Sequence, residues 1–249
     1  MFVSFLCGHK YNRKSAGELA LTLSESAEFD PRDRRQFVFH ATPLRKFILW
    51  SLTRLFGLMM KLEVDGIENV PFDGALIVAS NHVTNFDVIP MQIALPRTIF
   101  FMGKAELFRF APIDFVFRNC GAFPVNRGEK DMWAMRHARQ VLDHGQTLGM
   151  FPEGHRSKGQ GLGAAKIGTA RLAIEANCPI LPMAITGSDQ FFKSFPHRTR
   201  VTVTFLPLIL PSSNDAPTEL TDRLMLAVAS ALPEELRGVY AEKNKCLNG

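Results

Sequence analysis

The heptapeptide NHVTNFD, residues 81–87, places a histidine five positions before an aspartate, directly after the apolar run ALIVAS. On a regular helix two such side chains would diverge by about 140°. They can meet if His82 sits on a loop and Asp87 on the first turn of the following helix. Asp87 would then accept a hydrogen bond from one ring nitrogen and leave the other as a general base. A second reading is a capping cluster, since Asn81, Thr84, Asn85 and Asp87 are all good N-cap residues. The heptapeptide alone leaves both open.

Two further strand ends carry polar groups of matching type. GAFPVNR (121–127) ends in Arg127, whose forked guanidinium suits a phosphate. MFPEGHRSKG (150–159) delivers Glu153, Gly154, Arg156 and Ser157 on a turn that can present backbone N–H groups to an anion. Prolines 179 and 182 bracket another strand, PILPMAI.

The elements that position these groups follow from periodicity. Short apolar runs at 75–80, 98–102, 121–125, 147–151 and 179–185 read as buried strands. Between them, the segment after Asp87 and residues 130–144 and 168–177 read as helices, and 218–232 closes with an amphipathic helix. Alternating strand and helix predicts an α/β fold, a mixed and largely parallel sheet flanked by helices, with its chemistry at the carboxyl ends of strands. Residues 201–209 alternate and read as a more exposed or edge strand.

Residues 44–60 read as an amphipathic helix. Ile48, Leu52, Leu55 and Met59 fall on one face, and Lys46, Trp50, Arg54 and Lys61 on the other. Such a helix packs its apolar face on a core or lies in a membrane interface. Three segments result: a 1–43 extension, a helix at 44–61, and a main domain at 62–249. No run reaches the length of a membrane-spanning helix, and the N-terminus lacks the basic region of a signal peptide.

The net charge of +5 fits an anionic partner, but no basic run interleaved with aromatics points to nucleic acid. The four cysteines form no CxxC pair and no Cys/His cluster of zinc spacing, so no metal site is expected.

The ordered set NHVTNFD, GAFPVNR, FPEGHRS and PILPMAI resembles the four blocks of the glycerolipid acyltransferases, best known as 1-acylglycerol-3-phosphate (lysophosphatidate) acyltransferases. The match covers about residues 60–210, and GKAELFRFAPIDFVFRNCG resembles the lead-in to the second block. The resemblance implies acyl transfer from a thioester, on coenzyme A or an acyl carrier protein, to a glycerolipid hydroxyl in phospholipid synthesis. No bound cofactor is implied.

The resemblance makes His82 the base and Asp87 its orienting partner. Arg127 would hold the acceptor's phosphate, and Glu153 and Gly154, with Arg156 and Ser157, would shape the acceptor site. Lys104 and Lys166 are further phosphate candidates, and Pro179–Ile185 would line the donor side. An acyltransferase of lipids without a spanning helix must reach a bilayer. The 44–61 helix is therefore expected in the interface, with the enzyme peripheral at the cytoplasmic face of a membrane.

The sequence departs from the family pattern at Pro124, Asn126 and His155, and lacks an aromatic before Lys166. Alternatives are the same chemistry on glycerol-3-phosphate, a lysophospholipid or a lyso-aminolipid, and a non-catalytic lipid-binding protein of the same fold.

Overall fold

The computed structural model describes residues 30–35, 37–126, 130–157, 159–191 and 197–242 of the 249. The chain divides into two units, Met1–Gln36 and Phe37–Gly249. Most of the expected 1–43 extension lies outside the described residues. Within the first unit, a 3-10 turn at Pro31–Arg34 is capped by Asp30, whose carboxylate accepts from the Arg32 N–H.

The second unit is built on a seven-stranded sheet. Its strands are β1 (Met60–Asp65), β2 (Leu76–Ser80), β3 (Ile99–Lys104), β4 (Ala122–Val125), β5 (Thr147–Met150), β6 (Ile180–Thr186) and β7 (Thr199–Phe205), in the order β1-β7-β6-β2-β5-β3-β4. Neighbours pair in parallel except β6 with β7, which pair antiparallel. Strands β6, β2, β5, β3 and β4 thus point one way, and their carboxyl ends share one edge. β2 lies at the centre and is fully buried along its length. Apolar side chains on both of its faces explain its unbroken run LIVAS.

Among the described residues six helices cover the sheet: α1 (Pro43–Gly57), α2 (Val88–Ala94), α3 (Ala111–Asn119), α4 (Met132–Asp143), α5 (Gly168–Ala176) and α6 (Pro217–Ser230). Ile77 and Ala79 of β2 join a core with α4, α5 and α6. Leu76 and Val78 join a second core on the opposite face with Met91 and Ala94 of α2 and Phe56 of α1. The expected α/β architecture with both faces covered is the observed one.

Four details differ from the sequence-based expectation. The helix read over 44–60 stops at Gly57, and Met60–Asp65 is a strand. Glycine weakens the helix there, and the alternation of Met60, Leu62 and Val64 takes over. The strand read over 201–209 as more exposed or edge is more exposed than β2 and β6 but does not lie at an edge. β7 lies between β1 and β6, and alternates because Thr199, Val201, Val203 and Phe205 face the core while Arg200 is exposed on the other side. Helix α3 was not anticipated.

In α1, Leu55 points outward, and Arg45 is the buried residue. Its Nη2 donates to the carbonyls of Ile99 (3.0 Å) and Cys120 (3.1 Å), and the guanidinium lies 4.0 Å over the Phe100 ring. Burial pulls its pKa down to about 10, which leaves it charged at neutral pH. Gly121 leaves the room: a Cβ there would collide with that guanidinium.

Candidate active site

His82 follows the carboxyl end of β2, where the central strand delivers it to the sheet edge. It is 5% exposed, and its ring stacks on Phe151 with centroids 4.0 Å apart. Its Nδ1 lies 2.8 Å from Asp87 Oδ2. An ionised carboxylate only accepts hydrogen bonds, so the shared proton belongs to Nδ1, and Nε2 of the neutral ring keeps its lone pair.

Asp87 is 0% exposed and precedes α2, yet its side chain does not cap that helix. It turns back to accept from Val83 N–H (2.6 Å), Thr84 N–H (2.9 Å) and Thr84 Oγ1 (3.1 Å). The capping alternative therefore fails for Asp87. Asn81 does not cap either. Its amide bonds both the N–H and the carbonyl of Ile185 at the end of β6.

Glu153, on the loop after β5, is also fully buried. Its Oε1 accepts from the backbone N–H of His82 (2.9 Å) and its Oε2 from that of Gly163 (2.8 Å). Burial raises its pKa, against the opposing pull of these two bonds. The Ser157 N–H donates to the His82 carbonyl at 2.8 Å. The FPEGHRS loop thus grips both main-chain polar groups of His82.

A cavity of about 230 Å³ opens beside the histidine. Its lining includes the polar side chains of His82, Asn126, Lys166 and Thr169 and the apolar ones of Phe101, Met102, Val125 and Met150. Gly154, at φ +70°, turns the chain sharply under the Lys166 side chain, and the Lys166 N–H bonds the Pro152 carbonyl. The apolar lining comes from β3, β4 and β5. No residue of Pro179–Ile185 is among the cavity's lining, and Ile180–Thr186 form the buried strand β6, as expected from the apolar run there.

The sequence-predicted residues thus divide. His82, Gly154 and Lys166 share the cavity, with Asp87 and Glu153 buried behind. Arg156 is exposed and outside the cavity lining, Ser157 acts through its backbone, and Lys104 pairs with Glu106 at 3.3 Å. Arg127 lies outside the described residues, directly after the cavity-lining Asn126. Sequence reasoning missed Ser188, whose Oγ donates to Asp87 Oδ1 at 2.6 Å, and the clamp made by Asn81. Among the described residues no group of three His, Cys, Asp or Glu side chains is placed to hold a metal ion.

The profile of the family described as Acyltransferase matches residues 61–186, about half of the chain, and contains all four blocks. The chain belongs to the acyltransferase family. A 1-acyl-sn-glycerol-3-phosphate acyltransferase of Streptococcus pneumoniae is 31% identical over 173 residues, 69% of this chain and 62% of that protein. One of Borreliella burgdorferi is 27% identical over 135 residues, 53% of this chain and 54% of its own length. The chain thus spans about half the length of several acyltransferase relatives. The crystal structure of the 1-acyl-sn-glycerophosphate (LPA) acyltransferase PlsC from Thermotoga maritima superposes with a TM-score of 0.62, covering 94% of this chain and 89% of that one at 22% identity. It shares the fold.

Proposed function

We propose that this acyltransferase moves an acyl chain from a thioester, acyl-CoA or acyl carrier protein, to the free hydroxyl of a lysophosphatidate-like glycerolipid. The observation that carries the proposal is the buried His82–Asp87 pair bordering a cavity lined by both polar and apolar side chains. His82 Nε2 takes the proton of the acceptor hydroxyl as its oxygen attacks the thioester carbonyl. The tetrahedral adduct collapses by breaking the C–S bond, and the thiolate recovers the proton from His82. An ester and a thiol are the products. A thioester is already activated, so no side-chain nucleophile is required.

Asp87 orients His82 and stabilises the imidazolium that forms in transit. Glu153 holds the His82 main chain in place. Arg127 binds the acceptor phosphate, Lys166 at the cavity supplies a second cation for it, and Phe101, Met102, Val125 and Met150 receive apolar parts of the substrates. The names of the relatives support the lysophosphatidate acceptor.

The protein meets its substrates as a peripheral enzyme at the cytoplasmic face of a membrane. Among the described residues no helix is long and apolar enough to cross one. Helix α1 supports interfacial contact: Phe47 (61%), Trp50 (57%), Leu55 and Leu58 are exposed, flanked by exposed Lys46 and Arg54. Apolar side chains on one face pack on the protein, and those on the other need an apolar medium. Leu107, Phe110, Ile113 and Phe115 around the start of α3, which packs against α1, extend the exposed apolar surface.

The test supplies purified protein with palmitoyl and oleoyl thioesters on both carriers, lipid vesicles, and lysophosphatidate, glycerol-3-phosphate and lysophospholipids as acceptors. Phosphatidate formed faster than any other product supports the proposal. A faster product from another acceptor would overturn the acceptor assignment, and no product from any combination would overturn acyl transfer.

A further inference from the structure

Asp87 is held through both carboxylate oxygens, and the two sets of donors come from different parts of the fold. Oδ2 receives three donors from its own loop: His82 Nδ1, the Val83 N–H and the Thr84 N–H. Oδ1 receives Thr84 Oγ1 at 3.1 Å and Ser188 Oγ at 2.6 Å. Among the described residues Ser188 is the one donor from outside the loop, 101 residues further along the chain, and it is 1% exposed.

Its placement follows from β6. Asn81, the first residue of the histidine loop, accepts from the Ile185 N–H at 2.8 Å and donates to the Ile185 carbonyl at 2.9 Å. This pair of bonds fixes the end of β6 against the start of the loop. Gly187 then turns the chain at φ +82°, where a Cβ would collide with the Arg200 carbonyl. The turn brings Ser188 under Asp87.

We propose that Ser188 is a positioning residue for the His82–Asp87 pair, delivered by β6 through the Asn81 clamp. It builds on the acyl-transfer reading above. Without Ser188, Oδ1 keeps only the longer bond from Thr84 of the same loop, and the carboxylate is freer to rotate about its Cβ–Cγ bond. The short bond to Oδ1 fixes the carboxylate plane, and with it the direction in which Oδ2 accepts the His82 proton. The imidazole then stays flat against Phe151 with Nε2 turned to the substrate. Buried, fully satisfied networks of this kind specify one geometry.

The experiment is Ser188→Ala, which removes one oxygen atom and leaves Thr84 alone on Oδ1. We expect kcat to fall about tenfold, as misoriented catalytic groups lose rate steeply, while KM for both substrates stays within about twofold. In an Asp87→Ala background the same substitution should cost nothing further, because Ser188 acts through Asp87. A role confined to packing would lower activity equally in both backgrounds. A kcat within about twofold of wild type, or an equal loss in both backgrounds, overturns the proposal. Should Ser188→Ala fold badly, Ser188→Cys, which keeps the volume and donates poorly, should itself lose about tenfold in kcat, and wild-type rates from it would overturn the proposal too.

Wild-type turnover separates the two levels of failure. Transfer by wild type and variant alike defeats the Ser188 assignment alone. If wild type transfers nothing, the acyl-transfer reading fails, and the His82 Nδ1–H resonance still decides the positioning role by NMR. A downfield signal that shifts or broadens in Ser188→Ala upholds it, and an unchanged signal overturns it.

Discussion

Replacing Glu153 by glutamine sets two large effects against each other. The carboxylate accepts from two buried N–H groups, those of His82 and Gly163. Hydrogen bonds to a charged group are worth about 1.5–3 kcal/mol each, against about 0.5–1.5 for neutral pairs. Glutamine can accept one of them, as a neutral bond, and turns an NH₂ toward the other donor. On hydrogen bonding alone the loss is about 2–5 kcal/mol.

Burial works the other way. A fully buried carboxylate carries a desolvation penalty of several kcal/mol, and glutamine does not. The raised pKa of Glu153 says that burial outweighs the two bonds. Glu153→Gln should therefore unfold within about 1 kcal/mol of wild type at neutral pH, a Tm change of about 2–4 °C. Activity should respond differently, because the His82 N–H loses its carboxylate. We expect kcat to drop about tenfold or more with KM little changed. Glu153→Ala leaves both N–H groups unpaired and should lose about 3–6 kcal/mol.

The sign of the pH dependence follows from linkage. A carboxyl whose folded pKa lies above its unfolded value contributes stability that is full below the unfolded value, about 4.3. That contribution is lost as pH rises through the folded value. The Tm of wild type minus that of Glu153→Gln should therefore shrink as pH rises from about 4 through the raised value. Thermal unfolding of both proteins across that range is the assay. A difference that grows with pH would mean that the bonds outweigh burial, and the reasoning would be refuted.

Further outcomes follow from other parts of the molecule. Arg127→Ala should raise KM for a phosphorylated acceptor while changing kcat less; an unchanged acceptor KM in steady-state kinetics would move the phosphate site elsewhere. Changing Lys46, Arg54 and Lys61 together to Glu should weaken flotation with anionic liposomes, since each basic residue at the surface is worth about 1 kcal/mol; equal binding by both proteins would contradict the interfacial helix. Burial pushes the Cys178 thiol up to about 12, so iodoacetamide at pH 8 should leave it unmodified in the native protein, and rapid labelling there by mass spectrometry would contradict its burial.

The parts of this fold that the sequence announced are those where one physical cause dominates. β2, β5 and β6 are buried on both faces over most of their length, so each is a mostly apolar run that stands out from its surroundings, and β3 stands out by its apolar start, IFFM. β1 was hidden because Met59, Met60 and Lys61 continue the helical spacing of residues 44–57. β7 is legible as a more exposed strand but not as an inner one, because alternation marks a strand with one wet face, whether it lies at an edge or inside a sheet. His82 and Asp87 were legible as a pair because both lie in one short loop. Ser188 and Asn81 were not, because a serine or asparagine in a loop is common, and their partners lie about a hundred residues away. Arg45 was unreadable for another reason: its charge places it outside by type, and the carbonyls of Ile99 and Cys120, with the Phe100 ring, make its burial tolerable.

The central claim is that His82 Nε2 takes the acceptor's proton. The most direct test is the acyl-transfer rate of purified His82→Ala beside wild type at saturating thioester and acceptor. The expected result is a kcat lower by about 10²–10⁴, the usual worth of a positioned general base, with the fold intact by circular dichroism. Near-normal turnover in the folded variant would contradict it.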